Sequence, residues 1–234
     1  MLAKLMKPRT LLIGVVAVVA LFAVAYFTLF NTDSPSKLTL ETKGATAAAP
    51  PAGDLAGTWT VADGSVAGYR VREKLAQLPA PSDAVGRTGA ITGQVTMTDR
   101  GGAFSCSNAN FTVDVSQLKS DQAKRDNKVR TMGLETDKYP QATFAAAGPT
   151  LIPDDAVNGK ATTVPVQSDL TLHGVTTKVS IPLQVQRDGN QIKIVGTYQF
   201  SWSDFGMTAP SLQPFVSVTG NPTLEFSLLM AKQA

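Results

Sequence analysis

The sequence predicts an all-β domain, a barrel or a sandwich, carried behind a single transmembrane helix. Three observations point there. Apolar residues recur at every second position in most segments after residue 57. Short turn-forming stretches such as Asp63-Gly64 and Asp188-Gly189-Asn190 separate those segments. No strand–helix–strand rhythm occurs, which argues against a parallel sheet. A chain of 234 residues holds one domain with a sizeable core plus extensions.

Residues 1–10 carry Lys4, Lys7 and Arg9 and read as a cytoplasmic N-terminus. Residues 11–30, LLIGVVAVVALFAVAYFTLF, run for 20 residues without a charge. As a helix rising about 1.5 Å per residue they span about 30 Å, the hydrocarbon thickness of a bilayer. Tyr26 and Phe27 near the far end suit the interfacial aromatic belt. Lys37 and Lys43 follow the span, so the charge bias favours an N-terminus inside the cell. The expected protein is a single-pass plasma-membrane protein whose C-terminal domain is periplasmic or extracellular. A cleaved signal peptide is the competing reading. Its apolar core would run about 7–15 residues before a small-residue cleavage site, and NTDSPS offers none. Residues 31–56 are poor in large apolar groups, end in Ala, Pro and Gly, and read as a flexible linker.

From residue 57 to 234 the strands follow in order. TWTV (58–61) and VAGYRVRE (66–73) are short strands around the Asp63-Gly64 turn. AITGQVTMT (90–98) puts Ile91, Gly93, Val95 and Met97 on one face, and NFTVDVSQL (110–118) does the same with Phe111, Val113 and Val115. A helix is expected over 120–134. In QATFAAAGPTLI, Phe144, Ala146 and Gly148 share a face. Val166, Ser168, Leu170 and Leu172 alternate up to His173-Gly174, and Val175, Val179, Ile181, Leu183 and Val185 continue after it. Ile192, Ile194, Tyr198, Phe200 and Trp202 are in phase, and TLEFSLLM (223–230) closes the series. The inward faces mix large groups with Gly93, Ala146, Gly148 and Gly196. Such small residues fit either a ligand cavity or bulges and tight bends, and periodicity does not choose between them.

The charge says little about partners. Residues 1–56 hold five basic and three acidic residues, leaving 16 and 15 in the rest, so the domain is nearly neutral and no nucleic-acid partner is indicated. The single cysteine, Cys106, excludes an intramolecular disulfide and reads as a core residue. The single histidine, His173, precedes Gly174 between two strands and reads as a turn residue rather than a catalyst or metal ligand. No G-x-S-x-G elbow and no phosphate-cradling loop is present. Nothing supports an enzyme. The segment around Lys119, Lys124, Arg125, Lys128 and Arg130, with Asp121 and Asp126, is either a solvated helix or a basic rim near a cavity or headgroups.

KRDNKVRTMGLETDKYPQATF (124–144), DLTLHGVTTKVSIPLQV (169–185) and SDFGM (203–207) together resemble the YceI-like family. The residues that carry the likeness are Arg125, Asp126, Arg130, Lys138, Tyr139, Pro140, Thr143 and Phe144, then the Leu-Thr-Leu-His-Gly-Val-Thr run, then Ser203 to Gly206. The resemblance covers about 57–232 and leaves out the anchor and linker. It implies an extended, eight-stranded antiparallel lipocalin-like barrel with one short helix. It also implies non-enzymatic binding or transport of an isoprenoid lipid, quinone or polyprenyl type, in an exported bacterial protein. No cofactor is expected beyond that lipid as a bound ligand. Strand phase makes Tyr69, Phe111, Phe144, Leu172, Ile181, Ile194 and Phe200 the lumen candidates. Arg125, Arg130 and Tyr139 are the candidates for a polar rim. The chain departs from the family at SCSNAN (105–110) and QLPAPSDAVGRTG (77–89), which leaves the mouth's shape open. The expected partners are the lipid and, through residues 11–30, the membrane; a homodimer is an open option. The alternative function is an envelope interaction module, its barrel filled by its own side chains, acting through protein partners.

Overall fold

The computed structural model describes residues 34–40, 54–76, 81–212 and 216–233. The expected cytoplasmic stretch and membrane span, and most of the expected linker, lie outside them. Among the described residues no helix is long and apolar enough to cross a membrane.

The strands are β1 (Gly57–Val61), β2 (Val66–Leu75), β3 (Ser82–Thr88), β4 (Ile91–Asp99), β5 (Phe104–Asp114) and β6 (Gln141–Ala146). They continue with β7 (Thr150–Ile152), β8 (Thr162–Leu172), β9 (Val175–Asp188), β10 (Gln191–Gln199), β11 (Ser211–Leu212) and β12 (Val216–Lys232). Two short helices, α1 (Ala123–Lys128) and α2 (Asp154–Val157), lie between them. The ring runs β1-β4-β5-β6-β8-β9-β10-β12 and closes on itself where Trp59 meets Lys232 and Val61 meets Met230. That is a closed, eight-stranded antiparallel barrel. β2 prolongs β1 along the same long strand β12, and β3 pairs with β2 from Ala67↔Thr88 to Glu73↔Ser82.

Alternation builds the core. On β8, Val164, Val166, Ser168, Leu170 and Leu172 are buried while Pro165 and Gln167 are exposed. β9 repeats the pattern with Val179, Ile181, Leu183, Val185 and Arg187. Each fully buried aliphatic side chain contributes about 1.5–3 kcal/mol. The β8–β9 connection is a two-residue hairpin in which His173 (φ +52°) and Gly174 (φ +74°) are both left-handed. A right-twisted strand pair favours that geometry. Gly174 is required twice over, because a Cβ there would lie 2.6 Å from the Tyr139 ring.

Several elements differ from expectation. β3 falls within 77–89, a stretch from which no strand is expected because its small residues hide the alternation. β5 begins at Phe104 rather than near residue 110 and carries a bulge at Asn108 (φ +51°), one extra residue opposite the Gln94–Thr96 step of β4. The expected helix over 120–134 is shorter: α1 has six residues and runs into a π-helical turn, Val129–Gly133. The candidate strand over 110–118 ends earlier, at Asp114, whose carboxylate caps a 3-10 turn through Ser116 N. Within the expected linker, Leu55 is 2% exposed and its carbonyl accepts from Trp59 Nε1 at 2.9 Å. Composition hides this, because one leucine among Ala, Gly and Pro carries no pattern.

Ser168 is buried inside the barrel, and its hydroxyl has no hydrogen-bond partner among the described residues. Such a group costs stability. Ser168→Ala is therefore expected to raise the unfolding free energy by about 1 kcal/mol, read as a higher thermal midpoint. A lowered midpoint would show that the hydroxyl is satisfied in solution.

Candidate functional site: an apolar cavity at one end of the barrel

The two ends of the barrel differ. At the end carrying the β4–β5 and β9–β10 turns lies a cavity of about 70 Å³. Inward residues of seven barrel strands form its wall, among them Val95 and Met97 of β4, Ala109 and Phe111 of β5, and Val164 and Val166 of β8. Met230 of β12 and Ile192 and Ile194 of β10 complete it. Ile152, Ala156 and Val157 of the β7–α2 segment cap it together with Leu55. A hydrogen bond from Gln186 Nε2 to Gly159 O, 2.8 Å, ties that cap to β9. At the opposite end the bore is filled. Leu172, Ile181, Phe200, Phe205 and Met207 are all at most 5% exposed, and Phe200 meets Phe205 edge-on at 5.1 Å.

The small inward residues split accordingly. Ala146 lines the cavity. The space beside Gly196 is taken by Phe226 and Leu183, and that beside Gly93 by Phe111.

Of the lumen candidates, Phe111, Phe144 and Ile194 stand on the cavity wall. Phe111 and Phe144 are register partners on β5 and β6, their rings 6.2 Å apart. Leu172, Ile181 and Phe200 belong to the packed end. Tyr69 lies against Gly86; its hydroxyl is buried without a hydrogen-bond partner among the described residues, and burial raises its pKa. Leu55, Met230 and Arg187 are lining residues the sequence reading missed. Arg187 had a legible signal, since it continues the phase of Leu183 and Val185.

The rim candidates gather at the filled end. Arg125 pairs with the buried Glu73 and with Asp121. Burial works against its charge, but the two carboxylates outweigh this and raise its pKa. Arg130 bonds Asp137 at 2.6 Å and Asn127 at 2.8 Å. Tyr139 packs tilted against the His173 ring, ring centres 4.5 Å apart and planes at 58°. His173 Nδ1 donates to Phe205 O at 3.3 Å, and its Nε2 lies 2.7 Å from the Glu135 carboxylate. The turn histidine thus joins three segments: the β8–β9 hairpin, the loop before β6 and the 3-10 turn Trp202–Phe205. Among the described residues no group of three or more His, Cys, Asp or Glu is placed to hold a metal.

Cys106 also lines the cavity, and burial pushes its thiol from 9.0 to about 11. At pH 8 its alkylation by iodoacetamide is expected to be about a hundredfold slower than that of a free thiol, because the thiolate is the nucleophile. The folded state keeps a proton that the unfolded thiol gives up, so this contribution to stability is present below pH 9.0 and is lost as pH rises through about 11. Fast alkylation of native protein would show that the thiol is not held in apolar surroundings.

A family model for the YceI-like domain matches residues 59–230, from within β1 to within β12. The chain belongs to the YceI-like domain family. A UPF0312 protein of Vibrio parahaemolyticus is 29% identical to it over 140 residues, 57% of this chain and 69% of that protein. A UPF0312 protein of Vibrio campbellii is 33% identical over 106 residues, 45% of this chain and 51% of that one. The fold is similar to a polyisoprenoid-binding domain from Saccharophagus degradans implicated in plant cell wall breakdown, with a TM-score of 0.58 at 17% identity over 76% of this chain and 99% of the other. It is also similar to BcnA of Burkholderia cenocepacia, with a TM-score of 0.50 at 20% identity over 70% and 95%. These structural likenesses concern the YceI-like fold. The three sequence motifs meet around His173, where they hold the filled end together.

Proposed function

We propose that this YceI-like domain binds the tail of an isoprenoid lipid in its barrel, outside the cytoplasm and tethered by residues 11–30. The observation that carries the reading is the apolar cavity inside a closed barrel. Each CH₂ moved from water into such a lining gains about 0.8 kcal/mol, so a prenyl tail needs no catalytic group to be held. A bilayer offers the tail the same gain, so exchange between barrel and membrane is close to balanced. The tether raises the local concentration of one for the other.

Size sets the mechanism. An engineered protein cavity of about 150 Å³ takes a benzene ring; the cavity of about 70 Å³ therefore accepts only the leading part of a chain as it stands. A longer tail enters by parting the core. Met97 and Met230 on the wall and Met207 in the filled end are the side chains suited to that, being unbranched and easily repacked.

The test is lipid extraction and mass spectrometry on the full-length protein after extensive detergent washing. A prenyl lipid retained near one per chain supports the proposal. The filled end of the bore favours a second reading, a side-chain-filled module acting through protein partners at the envelope. Extracts free of prenyl lipid would sink the first reading and leave the second.

A further inference from the structure

The domain after residue 56 is nearly neutral, but one of its outer faces is not. On β2, Arg70, Arg72 and Lys74 share a face, because side chains two positions apart point the same way. Register puts Arg87 of β3 on that face opposite Gly68, and Asp83 opposite Arg72. Lys119 joins them. Its backbone exchanges two hydrogen bonds with Arg87, at 2.9 and 3.0 Å, so the two side chains point to the same side. The carboxylates here are Asp83 and, from β12, Glu225 opposite Gly68. Asp83 pairs with Arg70 and Arg72, and Glu225 with Arg70 and Arg87. Lys74 and Lys119 are exposed and pair with no carboxylate among the described residues. The chain crosses this face at Pro35 and Ser36, whose carbonyls accept from Arg70 Nη2 at 2.6 Å and from Arg87 Nη2 at 2.5 Å. Lys37, which follows, is exposed and has no carboxylate partner among the described residues either.

Pro35 is the fifth residue after Phe30, where the uncharged stretch ends. Five residues of any conformation reach at most about 18 Å. We infer that the β2–β3 face is the side the domain lays against the membrane, and that its partner is a bilayer surface bearing anionic headgroups. This rests on residues 11–30 being the tether, as proposed above. Arg70 and Arg87 hold the chain on the face, and Lys37, Lys74 and Lys119 meet the headgroup phosphates as point charges. Charge drives the contact rather than insertion, since the exposed large apolar residues Met132, Leu151 and Val175 all lie on other segments. Each lysine near an anionic surface shifts such an equilibrium about fivefold, and salt screens the effect.

The experiment places the full-length protein in vesicles of phosphatidylcholine, with and without phosphatidylglycerol. In a Cys106→Ala background a donor dye is attached at Thr219→Cys, an exposed position opposite Arg72, or at Thr163→Cys, an exposed position on β8, three strands from β12 around the ring. Energy transfer to an acceptor on the lipid headgroups then reads which side faces the membrane. The excess of transfer from position 219 over position 163 gives the ratio of docked to undocked domain. That ratio is expected to rise about a hundredfold with phosphatidylglycerol, and to fall back in concentrated salt and in the triple variant Lys37→Gln, Lys74→Gln, Lys119→Gln. Equal transfer from the two positions in anionic vesicles overturns the inference while the tether stands. So does an excess that is as large in neutral vesicles, or one that the triple variant keeps. Protein that alkaline extraction strips from both kinds of vesicle overturns the tether and the inference together.

Discussion

Glu225→Ala is expected to destabilise the barrel by about 3–5 kcal/mol, the usual cost of removing one partner from a buried ion cluster. Glu225 sits on the outward face of β12, yet its side chain is only 1% exposed. It accepts from Arg70 Nε at 3.3 Å and from Arg87 at 2.7 and 3.0 Å. The same two guanidinium groups donate to the carbonyls of Pro35 and Ser36, at 2.6 and 2.5 Å. Removing the carboxylate leaves two cations beside each other under this short stretch of chain. Arg87 is 25% exposed and regains water, whereas Arg70, at 10%, keeps only Asp83 and a carbonyl among the described residues. The loss should therefore fall at the lower end of the range and lower the thermal midpoint by about 10 °C. Arg72→Ala is the contrast: that arginine is 54% exposed and pairs only with Asp83 among the described residues, so its loss should cost under about 1 kcal/mol. Equal midpoints for the two variants would show that the Glu225 cluster is not buried in solution.

Ala146→Leu should weaken prenyl binding about fiftyfold while leaving the fold intact. Ala146 lines the cavity from β6, as Phe144 does, but with a side chain of a single carbon. Leucine adds three carbons to a space of about 70 Å³. A ligand that loses about three buried carbons forfeits about 2.4 kcal/mol, which is about fiftyfold in affinity. Stability should move by less than about 1 kcal/mol, because the new methyls fill space that was empty. Titration with a prenyl phosphate and a thermal melt measure the two halves separately. Leu151→Ala, at a position 68% exposed on β7, is the control and should change neither. Undiminished affinity in a folded Ala146→Leu protein would mean that the tail lies elsewhere.

The site was legible only in part. Phe111, Phe144 and Ile194 follow from phase, because an inward position on a strand is a local property. Leu172, Ile181 and Phe200 have the same phase and lie in packed core, since phase says which way a side chain points and not what it meets. The bulge at Asn108 shows the limit within one strand. Cys106 and Phe111 both face the cavity although they are five positions apart, which strict alternation forbids; the extra residue restores the phase. Arg125, Arg130 and Tyr139 were grouped by charge and polarity, yet their partners bind them to the filled end. Those partners, Glu73, Asp137 and His173, are legible only once the strands are assembled.

What the sequence determined by itself is local: the two-residue periodicity, the left-handed His173-Gly174 turn and the motifs of the YceI-like family. Each depends on residues within a few positions of one another, where backbone sterics and the pleat dictate the outcome. The tertiary structure alone decided where the barrel is hollow and where charge is buried. Phe226 fills the space beside Gly196, Leu55 reaches the core from outside the strands, and Glu225 gathers arginines from β2 and β3. Free volume and desolvation are set by atoms that meet across the chain, and no window of neighbouring residues contains both sides of those contacts.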